Sequence, residues 1–317
     1  MQPSIAIRGL TQTYPGGVTA VHDLNIDVPA GSVFGFLGAN GAGKTTTMRI
    51  VAGLAHPTSG DVEVGGIPRS AGIEYLRRVG YLAQEPAFYG WMTARDVLRF
   101  VARLHGGAGS ERRIGELLAL VGLTDAADRR SSTYSGGMRQ RLGIAQALVG
   151  QPSVIVLDEP VSGLDPIGRR DVLELMASLK GTTTVFYSTH ILDDVQRVAD
   201  HVAIVDHGRL VVTAPTAELL ARSTEGSIRV ELAGASAETA DRLRALPGVS
   251  RVSIAPGDGG SPTAFDVRVR DGLVPQVQLA VTSFAAEHGM AVLSARPDTI
   301  DLETVFLRLV DTQERAA

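Results

Sequence analysis

Val33-Phe34-Gly35-Phe36-Leu37-Gly38-Ala39-Asn40-Gly41-Ala42-Gly43-Lys44-Thr45-Thr46 decides how the rest of this chain is read. Val33 to Leu37 is an apolar run of strand length, and beyond Thr46 the residues Met48, Val51, Ala52 and Ala55 recur at helical spacing. A strand, a glycine-rich turn and a helix in that order are the context that a phosphate-binding P-loop, G-x-x-x-x-G-K-T, requires. Backbone N–H groups, those of Ala39, Asn40 and Ala42 included, must close around phosphate oxygens. A Cβ at Gly38, Gly41 or Gly43 would obstruct that wrap or forbid its φ angles. Lys44 is expected to neutralise the β- and γ-phosphates, and Thr45 to offer its hydroxyl to Mg²⁺. The start of the helix, Thr46 included, presents unpaired amides and a positive dipole end to the same anion.

Of the 30 basic residues only Lys44 and Lys180 are lysines, so a chain that otherwise uses arginine keeps a compact ammonium at this position. At 317 residues, 44% hydrophobic and 20% charged, the chain has the composition of globular protein with room for two cores. It has no cysteine, which excludes disulfides and thiolate metal sites, and its seven histidines show no metal-ligand spacing. No apolar stretch is long enough to span a bilayer, and Met1 to Leu10 lacks the pattern of a signal peptide. Net charge is −4, with 13 acidic and 9 basic residues in 225–317 and 21 of each sign before them. Neither part has the charge of a nucleic-acid binder, and no nucleic-acid partner is expected.

Ile5 to Leu10, Val18 to Val21 and Leu24 to Val28 read as short strands broken by the turn cluster Tyr14-Pro15-Gly16-Gly17, and Val62 to Val64 continues that antiparallel pattern. Thr93 to Val149 reads as helical, within a helical subdomain of about residues 87–150. Parallel-sheet material resumes with Val154-Ile155-Val156-Leu157, a helix with Val172, Leu175, Met176 and Leu179 on one face, Thr184 to Tyr187, and Val202 to Val205. Alternation of strands and helices predicts an α/β, doubly wound core. The character changes after about Arg222, which places a domain boundary between 1–224 and 225–317. The second part reads β-α-β-β-α-β, the order of a small α+β ferredoxin-like domain, followed by a last helix with Leu302, Val305, Phe306 and Leu309 on one face.

Val154 to Leu157 runs into Asp158-Glu159-Pro160, which places two carboxylates at the mouth of a buried strand. Beside a P-loop the pair looks like a Walker B motif, in which Asp158 would hold the magnesium shell and Glu159 would polarise the attacking water as general base. Tyr134-Ser135-Gly136-Gly137-Met138-Arg139-Gln140-Arg141 opens a helix between the two motifs. That run resembles the signature motif of ATP-binding cassette (ABC) proteins. The resemblance spans about Ile5 to Thr213 with every motif in order, and Tyr134 departs from the leucine that is commonest in first place.

The resemblance implies a RecA-like cassette with an antiparallel β subdomain and a helical insert, binding ATP and Mg²⁺ and working as a homodimer. Ser135, Gly136 and Gly137 would grip the γ-phosphate bound to the other subunit. It further implies that Tyr14 stacks on adenine and that Gln84 touches magnesium and reports to a membrane partner. Asp165, in Ser162-Gly163-Leu164-Asp165, would meet its counterpart across the dimer, and His190 would contact the γ-phosphate. One cassette with a C-terminal extension is similar to the ATPase subunits of ABC-2 type drug-resistance exporters. Such a subunit sits on the cytoplasmic face of the cell membrane, bound to a separate integral membrane permease. A rival reading is a soluble ABC ATPase acting on ribosomes or nucleic acid, and a third is a regulator that binds ATP without turnover. The first rival usually carries two cassettes or a long coiled coil, and Lys44, Glu159 and His190 speak against the second.

Phe88-Tyr89-Gly90-Trp91 sets three aromatics, including the only tryptophan, just after Gln84. Two readings are open: a docking loop for the permease, or rings that pack the root of the helical insert. The acidic balance of residues 225–317 and their lack of lysine argue against binding phosphates or anionic lipid. That domain is therefore expected to pair with its twin.

Overall fold

The structure, a computed structural model, describes residues 2–106, 111–224, 227–254, 264–270 and 273–297. The described chain divides into two compact units, one through Thr216 and one from Ala217. In chain order, β1 (Ile5–Thr13), β2 (Thr19–Val28) and β3 (Val33–Leu37) lead into α1 (Lys44–Val51). They are followed by β4 (Ser59–Val64), β5 (Ile67–Pro68), α2 (Ile73–Leu76) and β6 (Val79–Leu82). Three helices come next: α3 (Ala94–Leu104), α4 (Glu111–Leu120) and α5 (Gly136–Leu148). Then come β7 (Val154–Leu157), α6 (Pro166–Ser178), β8 (Thr184–Thr189), α7 (Leu192–Val198), β9 (His201–Asp206), β10 (Arg209–Pro215) and α8 (Thr216–Thr224).

The central sheet has the order β10-β9-β3-β8-β7-β6, parallel except for β10 at its edge. Its strands are buried throughout β3, β7 and β8, which is why they read as unbroken apolar runs. Register matters most for the chemistry. Leu37 pairs with Thr189, Leu157 with Tyr187 and Leu82 with Leu157, so β3, β8, β7 and β6 all end at one rim of the sheet. The segments that leave that rim carry the P-loop, His190, the Asp158-Glu159 pair and Gln84, at the carboxyl edge where open α/β sheets bind ligands.

The small antiparallel sheet β2-β1-β4-β5 shares a core with it, Ile5, Ile7 and Val62 packing with Phe34, Phe36 and Met48. Val18 to Val21 and Leu24 to Val28 are not two strands but the single strand β2, with Asp23 in a left-handed conformation (φ 45°) at a register irregularity. The amide of Asp23 donates to the Thr11 hydroxyl and its carbonyl accepts from the Asn25 side chain, so the ladder continues across a bulge where the pattern suggested a break.

The second unit runs β11 (Ser227–Ala233), α9 (Ala237–Arg244), β12 (Val249–Ile254), β13 (Ala264–Val269), α10 (Val274–Glu287) and β14 (Ala291–Pro297). Its sheet is antiparallel in the order β12-β13-β11-β14, the ferredoxin-like arrangement. Alternation produces it: Ile228, Val230 and Leu232 on β11 and Phe265 and Val267 on β13 are buried with Val277 and Val281 of α10. The last helix expected around Leu302 to Leu309 lies outside the described residues.

Candidate functional site

The P-loop wraps at the rim between β3 and α1. Gly43 has φ 91°, and a Cβ there would lie 2.3 Å from the Ala20 carbonyl oxygen, so both conformation and space require glycine. Gly38 is constrained by space alone, with the Val205 carbonyl oxygen 2.5 Å from where its Cβ would sit. Ala42 turns its methyl into the core, so only its backbone is available to a ligand.

Lys44 is 5% exposed. Its ammonium donates to the carbonyls of Gly38 (2.8 Å) and Ala39 (3.0 Å) and stands 3.4 Å from Glu159 Oε1. The other Glu159 oxygen lies 3.2 Å from His190 Nδ1, so the carboxylate bridges the two basic groups. Glu159 itself sits at φ 45°, a left-handed conformation that costs a bulky residue about 1 to 3 kcal/mol. Its amide N–H donates to Ser188 Oγ at 2.9 Å.

Ser188 was not singled out by the sequence reading. It is fully buried, and its hydroxyl also donates to Asp158 Oδ1 at 2.8 Å while Thr45 Oγ1 donates to the same oxygen at 3.2 Å. One hydroxyl therefore orients both carboxylate residues. The only signal in the sequence was a polar residue closing an apolar strand.

Lys44, Thr45, Glu159 and His190 face a cavity of about 600 Å³, whereas Asp158 and Ser188 are buried behind it. Asn40, Gly41, Gly43, Lys44, Thr45 and Thr46 form its floor, with Gln84, Glu159, Ser162 and His190 on one side. Tyr14, Val18 and Ala20 form the other side. Tyr14 is 42% exposed and its hydroxyl is 3.1 Å from Thr46 Oγ1, so a half-open ring stands beside the phosphate loop. Val18 and Ala20, read from the sequence only as part of a strand, join the site. Gln84 has an exposed side chain and an anchored backbone, its carbonyl accepting from Gln140 Nε2 of α5 at 2.8 Å.

Ser135, Gly136, Gly137 and Asp165 do not line this cavity. Ser135 caps α5, accepting from the Met138 amide, and Asp165 caps α6, accepting from the Gly168 amide at 2.6 Å. Tyr134 is buried and its hydroxyl donates to the Ala126 carbonyl at 2.6 Å, so the unusual first residue is fully accommodated. Burial pushes that phenol above its ordinary range.

A phosphate-binding loop at the end of one parallel strand, with a carboxylate pair at the end of another strand of the same sheet, defines a nucleoside-triphosphate hydrolase of the P-loop class. A family profile described as ABC transporter matches residues 21–162. The daunorubicin/doxorubicin resistance ATP-binding protein DrrA of Streptomyces peucetius is 36% identical over 314 residues, covering 97% of this chain and 93% of that one. The bacitracin transport ATP-binding protein BcrA of Bacillus licheniformis is 41% identical over 226 residues, 70% of this chain and 73% of that one. A solved ATP-binding subunit of an ABC transporter superposes with a TM-score of 0.61 at 28% identity, covering 69% of this chain and 92% of that chain. The chain belongs to the ABC transporter family and is an ATP-binding protein and ATP hydrolase of it.

Proposed function

We propose that this chain is the ATP-hydrolysing subunit of an ABC-2 type exporter, working as a pair of cassettes on a separate membrane permease at the cytoplasmic face of the membrane. The observation that carries the pairing is geometric. The cavity holds Lys44, Glu159 and His190 but not Ser135 to Gly137, whose helix start is built to receive an anion. A second copy brings that helix start to the γ-phosphate. Glu159 then takes a proton from the attacking water while Lys44 and His190 offset charge on the phosphoryl oxygens.

Magnesium fits the donor set. Thr45 and Asp158 already share a hydrogen bond at 3.2 Å and offer hard oxygen atoms, with the Gln84 amide beside the same cavity. No cluster of three or more His, Cys, Asp or Glu that could hold a metal occurs among the described residues. When bound, the ion would be held by Thr45 and Asp158 and would supply positive charge that offsets phosphate charge.

The export assignment rests on the relatives that act in bacitracin transport and daunorubicin/doxorubicin resistance. Among the described residues no helix is long and apolar enough to cross a membrane, so the path for cargo belongs to a partner. Its docking surface is the loop after Gln84. Trp91 is 70% and Tyr89 65% exposed, their rings stacked with centroids 6.0 Å apart, so Trp91 does not pack the root of the helical insert. Phe88 and Tyr89 also line an apolar cavity of about 370 Å³ with Met92, Val97, Phe100 and Val101. The backbone beneath is fixed, with Tyr89 and Met92 carbonyls accepting from Ser131. Rigid, exposed aromatics beside an apolar cavity are the usual makings of a binding hot spot, worth about 2 kcal/mol or more each. Trp91→Ala is expected to keep the melting temperature and the ATPase rate of the isolated chain and to abolish co-purification with the permease. Capture of the permease by a destabilised Trp91→Ala chain would remove the docking role.

The domain division at about residue 224 and the pairing of the second domain with its twin are part of the same proposal. A twin contact holds two cassettes near one another between ATP cycles and raises their effective concentration. Deleting residues 225–317 is expected to leave ATP binding intact and to make the specific ATPase rate depend more steeply on protein concentration. An unchanged concentration dependence rules the tether out.

A further inference from the structure

Arg169 and Asp194, neither of which lines the cavity of Lys44 and Glu159, form an ion pair. Arg169 Nε donates to Asp194 Oδ1 at 2.8 Å, and the Asp194 side chain is 0% exposed. The pair joins the first turns of two helices, each of which follows a candidate site segment. Arg169 lies four residues after Asp165, and its amide donates to the Asp165 carbonyl as α6 begins. Asp194 lies in the first turn of α7, four residues after His190.

These contacts close a ring. From Glu159 the chain turns through Ser162, whose amide donates to the Glu159 carbonyl, to Asp165, α6 and Arg169. From Arg169 the ion pair crosses to Asp194, and the chain runs back from α7 to His190, whose Nδ1 meets Glu159 Oε2 at 3.2 Å. We infer that the Arg169–Asp194 pair is a positioning pair, which fixes α7 against α6 so that His190 is held at Glu159 and in step with the Asp165 loop. This rests on the reading of Glu159 and His190 as the hydrolytic pair.

Stability does not account for the pair. Burial outweighs Arg169 and holds the Asp194 carboxyl above its usual range, so keeping a charge there costs the folded state. Among the described residues Asp194 Oδ2 finds no hydrogen-bond partner, nor does the Tyr187 hydroxyl, which burial first and the Asp194 charge second hold well above the ordinary phenol range. Buried ion pairs of this kind are best attested as devices that fix register.

The test replaces the pair by apolar residues in the full-length chain. Arg169→Leu/Asp194→Leu removes both charges together and is expected to melt at or above the parent temperature, because no buried charge is left alone. Its kcat for ATP is expected to fall about 10- to 100-fold, the effect of a small misplacement at a reacting centre, with KM within about twofold. A folded double variant with parental kcat overturns the inference. Should that variant not fold, Asp194→Asn, which keeps the shape, decides in its place: a lower kcat at unchanged KM and melting temperature supports the positioning role, and parental kcat overturns it. Glu159→Gln run alongside separates the two levels. Wild-type turnover in Glu159→Gln removes the reading of the hydrolytic pair itself, whereas an inert Glu159→Gln beside an active double variant removes only the role of Arg169 and Asp194.

Discussion

Glu159→Gln is expected to bind ATP as the parent does, to turn it over about 10²- to 10⁴-fold more slowly, and to accumulate as an ATP-dependent dimer. The substitution keeps the size of the side chain and the left-handed backbone that Ser188 Oγ supports through the Glu159 amide. It removes the group that accepts a proton from water. It also removes the negative charge 3.4 Å from Lys44, leaving the ammonium to act on phosphate alone, so affinity is expected to stay level or rise. Without hydrolysis the step that separates the two copies is missing, and the pair joined through ATP persists. Light scattering with and without ATP and magnesium, beside a steady-state rate, reads both effects. A variant that remains monomeric at saturating ATP and magnesium contradicts the composite site in which Ser135 to Gly137 come from the second copy.

The parts of this site that could be read in the sequence are those in which a short run carries its own structural context. Gly38 to Thr46 follows an apolar strand and opens a helix, Asp158 and Glu159 close an apolar strand, and Ser135 caps the helix it precedes. Each of these is decided within a dozen residues. Ser188, Val18 and the Arg169–Asp194 pair were not legible, because their roles come from contacts made across the fold. Ser188 meets Asp158 across 30 residues of chain and Arg169 meets Asp194 across 25. In the second unit the alternation of Ile228, Val230 and Leu232 announced a one-faced strand, and the order of elements led to the ferredoxin-like arrangement. The bulge at Asp23 was misread as a break because alternation fails locally there while the ladder, held by Thr11 and Asn25, does not.

Lys44→Ala is expected to fail one step earlier than Glu159→Gln and to carry a second, structural effect. Charge-assisted hydrogen bonds to phosphate contribute about 1.5 to 3 kcal/mol each, so losing two of them weakens ATP binding by about 10²-fold or more and abolishes turnover with it. The structural effect follows from burial. Lys44 is 5% exposed and Glu159 8%, and truncation leaves the Glu159 carboxylate with His190 as its one basic partner among those described. Breaking a buried pair by removing one member costs about 3 to 5 kcal/mol, which for a cassette of this size lowers the melting temperature by roughly 6 to 20 °C. The two effects come apart in the double variant. Lys44→Ala/Glu159→Gln removes the stranded charge and is expected to recover most of the lost melting temperature, because the two substitutions act on one contact and do not add. It recovers none of the affinity, since the phosphate still lacks its ammonium. Thermal denaturation without nucleotide and titration with a fluorescent ATP analogue, performed on the parent, both single variants and the double, complete the cycle. Additive losses of melting temperature in the double variant contradict the Lys44–Glu159 pair, and an affinity within about threefold of the parent in Lys44→Ala contradicts the phosphate-binding role of Lys44.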